Sequence, residues 1–247
     1  MALLAGKTAV ITGGARGLGS AIAPAMAAEG AHVVVVDRNS DAASDIVAQI
    51  GASGGSAAAE PLDISDRGAV TAFGRRMIER HEKIDVLVNN AGIAPRIRPQ
   101  DPDQMEKWDQ VVSVNLTAQW DITVALLPGL KHPGASVIFL SSIAGFSAPR
   151  SSAAYGATKA AVRSLVQYFA RDLGPTGGRA NGLAPGRMKS DLMTVTGEAG
   201  DKFLQRLPLG RVGETHEIVG PAMFLASDMS SYVTGVTIPV DGGYLAL

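Results

Sequence analysis

A doubly wound α/β domain, one parallel sheet covered by helices on both faces, is the fold predicted for this 247-residue sequence. Three observations predict it. Short β-branched runs recur without the alternation of a half-exposed strand, as expected of strands buried on both faces. Longer segments of helical character separate them, and right-handed crossovers then distribute the helices over both faces. The first run ends in clustered glycines, where such a sheet opens to hold a ligand.

The elements follow in order. TAVITGG (8–14) reads as the first strand entering a glycine turn, with a helix near 17–29. AHVVVVD (31–37) is the second strand, ending in Asp37, with a helix near 41–50. SAAAEPLD (56–63) is read as the third strand against the helical preference of alanine, with a helix near 66–81. IDVLVNNAG (84–92) and a single helix over 103–127 come next. ASVIFLSS (135–142) is followed by a helix over 152–173. GRANGLAPG (178–186), a helix near 214–226 and GVTIPVDGG (235–243) close the pattern. No repeat, low-complexity tract or linker interrupts it. The expectation is one domain over 1–247 that binds a dinucleotide and carries the catalytic groups. A loop-rich insertion at about 187–210 is expected to be a substrate lid.

Composition narrows the function. Hydrophobic residues make up 46% and charged residues 18%, enough for a sizeable core and against disorder. A formal net charge of −1 gives no basic excess to favour nucleic acid. The absence of cysteine removes disulfides, thiolate metal sites and cysteine nucleophiles. His32, His81, His132 and His216 show no ligand spacing, so no metal is expected. No run is long and apolar enough for a bilayer span, and the start MALLAGKTAVITGG is too short for a signal peptide. A soluble cytoplasmic protein with no membrane partner is expected.

TGGARGLG (12–19) puts Gly13, Gly17 and Gly19 between the first strand and first helix. Glycine lets backbone approach a pyrophosphate, and the helix N-terminus favours negative charge. Asp37, ending the next strand, can accept hydrogen bonds from both ribose hydroxyls. On the helix over 152–173, Tyr155 and Lys159 share a face at i and i+4. A cation at ~5 Å lowers a phenol pKa by roughly two units from about 10, and a second positive charge would bring it towards 7–8. Such a phenol can exchange a proton with an alcohol. Ser142 ends the preceding strand, and Ser141 beside it must face the other way.

The spacing TGxxxGxG, with NNAG (89–92), Ser142 and Tyr155-x3-Lys159, resembles the short-chain dehydrogenase/reductase family from about residue 6 to 243. The resemblance implies a Rossmann-type sheet and four catalytic residues. Asn115 would position a proton-relaying water, Ser142 would orient the substrate oxygen, Tyr155 would be the acid–base, and Lys159 would lower its pKa and bind the nicotinamide ribose. It implies cofactor contacts from Arg16 and Leu18 in the glycine loop, Arg38 after Asp37, and Asp63 and Ile64 at the adenine. Asn89, Ala91 and Gly92 would lie beneath the cofactor. Pro185, Gly186, Met188 and Ser190 would border the nicotinamide. Met188 stands where a β-branched residue is usual and Ser190 where threonine is commoner.

Asp37 would repel a 2′-phosphate, so NAD is expected, with NADP as the alternative. Either Arg16 or Arg38 could offset the acid, since one charge pair at ~5 Å and an effective dielectric of about 20 is worth about 3 kcal/mol. The implied reaction is hydride transfer between nicotinamide and a secondary alcohol or ketone, the substrate being a small alcohol, sugar or hydroxy acid. An NADPH-dependent 3-oxoacyl-acyl-carrier-protein reductase is the alternative, and a non-catalytic cofactor-binding regulator the distant one. Arg96, Arg98 and Arg150 are candidates for an anionic substrate group. A homotetramer, or a dimer, is the expected assembly.

Overall fold

The computed structural model describes residues 2–147, 152–189 and 203–246. Strands β1 (Thr8–Thr12), β2 (His32–Asp37), β3 (Ser56–Pro61), β4 (Val86–Asn89), β5 (Ser136–Leu140), β6 (Arg179–Pro185) and β7 (Thr237–Val240) form one sheet in the order β3-β2-β1-β4-β5-β6-β7. Every pairing is parallel. The order runs one way from β1 to β3 and the other way from β4 to β7. The resulting switch between β1 and β4 leaves a crevice at the strands' carboxyl ends.

Strand alternation explains the two cores. Ile11, Val33, Val35, Val88 and Leu140 face one layer, packed by α1 (Gly17–Ala28), α2 (Ser40–Ala52) and α7 (Val219–Ala226). Their neighbours Val10, Val34, Val36, Leu87 and Phe139 face the other. That layer is packed by α3 (Arg67–His81), α5 (Ala118–Leu130) and α6 (Ala153–Leu173). Each fully buried Val, Leu, Ile or Phe contributes about 1.5–3 kcal/mol. Among the described residues no helix is long and apolar enough to cross a membrane.

Caps define several helix starts. Asn39 accepts from the Ala42 N–H at 3.1 Å, Asp66 from Ala69 at 3.0 Å, and Ser152 from Tyr155 at 3.1 Å. Each such cap stabilises its helix by about 1 kcal/mol. The last one sets where the helix carrying Tyr155 begins.

The expected helix over 103–127 is three pieces: α4 (Gln104–Val112), a π-helical turn (Ser113–Thr117) and α5. The wide turn is centred on Asn115, which is fully buried. Its amide needs partners there, and the π turn is the local distortion that accompanies their provision. SAAAEP is a strand despite its alanines, because pairing with β2 overrides intrinsic preference.

Candidate active site

A cleft of about 280 Å³ opens at the β1–β4 switch, lined among others by Gly13, Arg16, Gly17, Leu18, Asp37, Arg38, Asp63, Ile64, Ala91 and Gly92. Gly13 takes φ +62°, and a Cβ on it would come within 2.8 Å of Ala91 Cα. Only glycine fits that turn. Arg16, the N-cap of α1, makes no side-chain cap, and no acidic side chain occupies the first turn. The first-turn amides are therefore available to an anion. These features fit a dinucleotide pyrophosphate.

Asp37 is 6% exposed at the end of β2. Its carboxylate accepts from the Asn39 N–H at 3.1 Å and the Ala15 N–H at 3.3 Å, which orients it on the cleft wall. Asp63 is held below its usual pKa by the Ser65 hydroxyl and the Ser65 amide, assisted by the charge of Arg38. Arg16 and Arg38 are exposed, and no ion pair among the described residues engages either.

Two expected cofactor contacts are displaced. Asn89 is 1% exposed and points into the α5 layer, donating to Thr123 Oγ1 at 2.9 Å. Asn90 takes the place on the cleft wall and ties the loop to β1. Its side chain donates to Gly13 O at 2.8 Å and Thr12 O at 3.0 Å. Strand alternation could have signalled this, since adjacent residues face opposite layers. Gly19 is buried and lines neither cavity of the site; a Cβ there would run into the Gly13 carbonyl oxygen. Its role is to let α1 approach the turn.

A second cavity of about 230 Å³ shares Leu18, Asn90, Gly92 and Ile93 with the cleft. Its wall also carries Ser142, Tyr155, Lys159, Pro185, Gly186 and Met188. Ser142 follows β5, and its Oγ accepts from the Ala144 N–H at 3.2 Å on the cavity wall it shares with Tyr155. Ser141 faces the helix instead, donating to Lys159 O at 2.7 Å. The Lys159 ammonium lies 5.7 Å from the centroid of the Tyr155 ring and donates to Leu140 O at 2.7 Å.

Electrostatics at this pair depart from expectation. Burial pushes the Tyr155 phenol above its ordinary value, and the Ser142 hydroxyl opposes that shift. Lys159 is 3% exposed, and burial lowers it to about 8. The expected lowering of the phenol by Lys159 is absent, because the ammonium is directed to the Leu140 carbonyl and desolvation dominates at the phenol.

Asn115 is engaged through its side-chain amide. Its Nδ2 donates to Ile93 O and its Oδ1 accepts from the Ile93 N–H, both at 2.8 Å. The side chain is a clamp on the loop bordering both cavities. Arg96 and Arg98 are exposed and line neither cavity, so the structure does not bring them to the site. Arg150, Ser190 and most of the expected lid lie outside the described residues. Of the lid's described ends, the Arg187 guanidinium carbon stands 5.2 Å from the centroid of the Phe203 ring.

Comparison with known proteins gives three concordant results. A family model described as enoyl-(acyl carrier protein) reductase matches residues 13–245. The trans-4-hydroxycyclohexanecarboxylate dehydrogenase of Sinomonas cyclohexanicum is 38% identical over 249 residues, covering 98% of this chain and 94% of that one. The 3-oxoacyl-acyl-carrier-protein reductase of Thermotoga maritima is 34% identical over 245 residues, covering 97% and 98%. Among solved structures, a gluconate 5-dehydrogenase from Burkholderia cenocepacia in complex with NADP and tartrate superimposes with a TM-score of 0.91. It is 35% identical and covers 99% of this chain and 97% of that one.

Proposed function

The chain belongs to the short-chain dehydrogenase/reductase family, and from that premise we propose that it moves hydride between a nicotinamide cofactor and a secondary alcohol or the matching ketone. One observation carries the proposal: Ser142, Tyr155 and Lys159 share a cavity that is continuous, through Leu18, Asn90 and Gly92, with a cleft shaped for a dinucleotide.

Gly13, Gly17 and the first-turn amides of α1 would hold the pyrophosphate. Asp37 would hold a ribose, with Asp63 and Ile64 beside the adenine, and Gly92, Pro185, Gly186 and Met188 beside the nicotinamide. When bound, the nicotinamide supplies the hydride acceptor or donor. Tyr155 takes the proton of the alcohol hydroxyl, or returns one to the ketone oxygen. Ser142 donates its hydroxyl hydrogen to the same oxygen as charge develops there. Lys159, its ammonium directed to Leu140 O on the same cavity wall, would hold the nicotinamide ribose. Asn115 keeps the Ile93 loop in place against both cavities.

The buried carboxylate of Asp37 favours NAD over NADP, because a 2′-phosphate would bring like charge against it. The hydroxycyclohexanecarboxylate and gluconate dehydrogenases among its relatives support a hydroxy acid or sugar acid as substrate class. The Thermotoga relative supports a second reading, reduction of 3-oxoacyl chains with NADPH. A panel of secondary alcohols, sugars, hydroxy acids and a 3-oxoacyl thioester, assayed with both cofactors, separates them. The expected result is turnover of a hydroxy acid or sugar acid with kcat/KM at least about tenfold higher for NAD. A strong NADP preference would remove the NAD assignment. Dinucleotide binding without turnover on any substrate would favour a regulatory protein.

The segment at 187–210 is assigned as cover for the substrate cavity. Met188 on the cavity wall and the Arg187–Phe203 contact support this, since one described end reaches the cavity and the other packs against the residue beside it. The assembly is assigned as a homotetramer. Trp108 on α4, Trp120 and Val124 on α5 and Tyr168 on α6 are exposed apolar groups suited to helix packing between subunits. Light scattering should give four times the chain's 25.4 kDa; the mass of a monomer would contradict the assignment. A soluble nicotinamide pool is needed for this chemistry, which supports a cytoplasmic location.

A further inference from the structure

Three contacts join the turn after Ser142 to the helix that carries Tyr155 and Lys159. Ser141 Oγ donates to Lys159 O at 2.7 Å. Gly145 lies so close to the helix backbone that a Cβ would stand 2.6 Å from Lys159 O. Arg163 Nη1 donates to Gly145 O at 2.9 Å, while the guanidinium carbon stacks 3.6 Å from the centroid of the Phe146 ring. Arg163 is one turn beyond Lys159 and two beyond Tyr155, on the same side of α6. No step of the reaction proposed above uses it.

The turn that Arg163 grips is the 3-10 turn Ile143–Gly145, and Ser142 is its N-cap. Ser142 Oγ accepts the Ala144 N–H, which occupies one lone-pair direction of the hydroxyl. The hydroxyl hydrogen must then point elsewhere, and the cavity that Ser142 lines with Tyr155 and Lys159 is the space open to it. The direction of that hydrogen depends on where the Ala144 amide sits. The amide belongs to a three-residue turn whose carboxyl end is gripped by Arg163. Stacking and a charge-assisted hydrogen bond act together there, a combination arginine provides and other side chains do not.

We propose that Arg163 is a positioning residue for the reaction: by holding Gly145 and Phe146 it fixes the Ala144 amide and so sets where the Ser142 hydroxyl points in the cavity it shares with Tyr155. The inference rests on the assignment of Ser142 and Tyr155 to catalysis. It distinguishes Arg163 from an ordinary surface arginine, whose loss would change stability but not the acid–base behaviour of the site.

The test uses the full-length Arg163→Ala and Arg163→Lys variants, with kcat, KM, dinucleotide Kd and the pH profile of alcohol oxidation measured for each. Arg163→Ala should lower kcat by about tenfold or more, as small misplacements of reacting groups do. Its dinucleotide Kd should stay within about twofold of the parent. The rising limb of kcat/KM, which reports the enzyme free of substrate, should move to higher pH. The sign follows from the Ser142 hydroxyl, which lowers the phenol pKa; once misdirected, it leaves the phenol harder to ionise. Arg163→Lys keeps a donor for Gly145 O and should recover part of the rate, and added guanidinium ion should restore part of the alanine variant's rate.

An alanine variant with kcat within about twofold of the parent and an unmoved pH limb overturns the proposal. So does a rate loss matched by an equal loss of dinucleotide affinity with no pH shift, because that marks a purely structural role. Should Arg163→Ala fail to fold, Phe146→Leu removes the stacking and leaves the Gly145 bond; the same pH shift, smaller in size, is then required. Turnover retained by Tyr155→Phe would sink the underlying site assignment whatever Arg163 does. A dead Tyr155→Phe beside an unaffected Arg163→Ala would sink this inference alone.

Discussion

Tyr155→Phe should lower kcat by about three orders of magnitude, within the range that positioned acid–base groups contribute. The substitution removes one oxygen and keeps the ring. The N-cap bond from the Tyr155 amide to Ser152 Oγ uses backbone only and survives. Helix α6 should therefore hold its place, and dinucleotide affinity should change by less than about threefold. The variant separates chemistry from binding: fluorescence titration with the dinucleotide reads one, turnover reads the other. Turnover near the parent rate would refute Tyr155 as the proton-transfer group. Loss of dinucleotide binding to the same degree as turnover would move its role to the cofactor.

Lys159→Met should do two opposite things, abolish turnover and stabilise the protein at neutral pH. The Lys159 ammonium lies in the interior with its pKa lowered from 10.5 to about 8. Below pH 8 both folded and unfolded chains carry the proton, and the full cost of burying the charge is present. Between about 8 and 10.5 the folded state releases the proton first and the cost falls; above 10.5 it is gone. The difference amounts to about 3 kcal/mol. Methionine fills similar space but leaves Leu140 O without its partner, at about 1–2 kcal/mol. The balance favours the variant at pH 7 by a melting-temperature gain of roughly 3–6 °C. Near pH 10.5 the gain should turn into a small loss. A gain that grows with pH, or none at pH 7, would show that the lysine is not held at this cost.

The fold was legible because the strands are apolar on both faces. HVVVVD and SVIFL leave little else for those segments to be, and the glycine turn marks where the sheet opens. What escaped was decided by partners distant in sequence. The helix through Asn115 breaks into a π turn because that amide reaches Ile93 on another segment. Asn89 and Asn90 are chemically identical neighbours, and the residue that closes the cleft is chosen by strand phase.

The site was legible in its members more than in its electrostatics. Ser142, Tyr155 and Lys159 converge as their spacing implied. The direction of the Tyr155 shift was not legible, because burial of the phenol and the Leu140 carbonyl that draws the ammonium are tertiary facts. Arg163 had no motif to mark it; its significance comes from a loop residue eighteen positions earlier in the chain. Arg96 and Arg98 illustrate the converse, charges that proximity in sequence suggested and the fold leaves in solvent.

The order β3-β2-β1-β4 has a consequence for synthesis. On one side β1 pairs with β2, which leaves the ribosome soon after it. On the other side it pairs with β4, in a register that matches Thr12 with Asn89. At roughly 5–20 residues per second, the chain between those two takes roughly 4–15 s to make. Through that interval the strand TAVIT presents one bare edge with apolar side chains above and below. A nascent chain in that state invites pairing with the wrong neighbour. The feature that later makes the ligand crevice is thus also the most exposed seam of the unfinished protein. Substitutions that slow the arrival of β4 should lower the yield of soluble chain before they alter any property of the folded one.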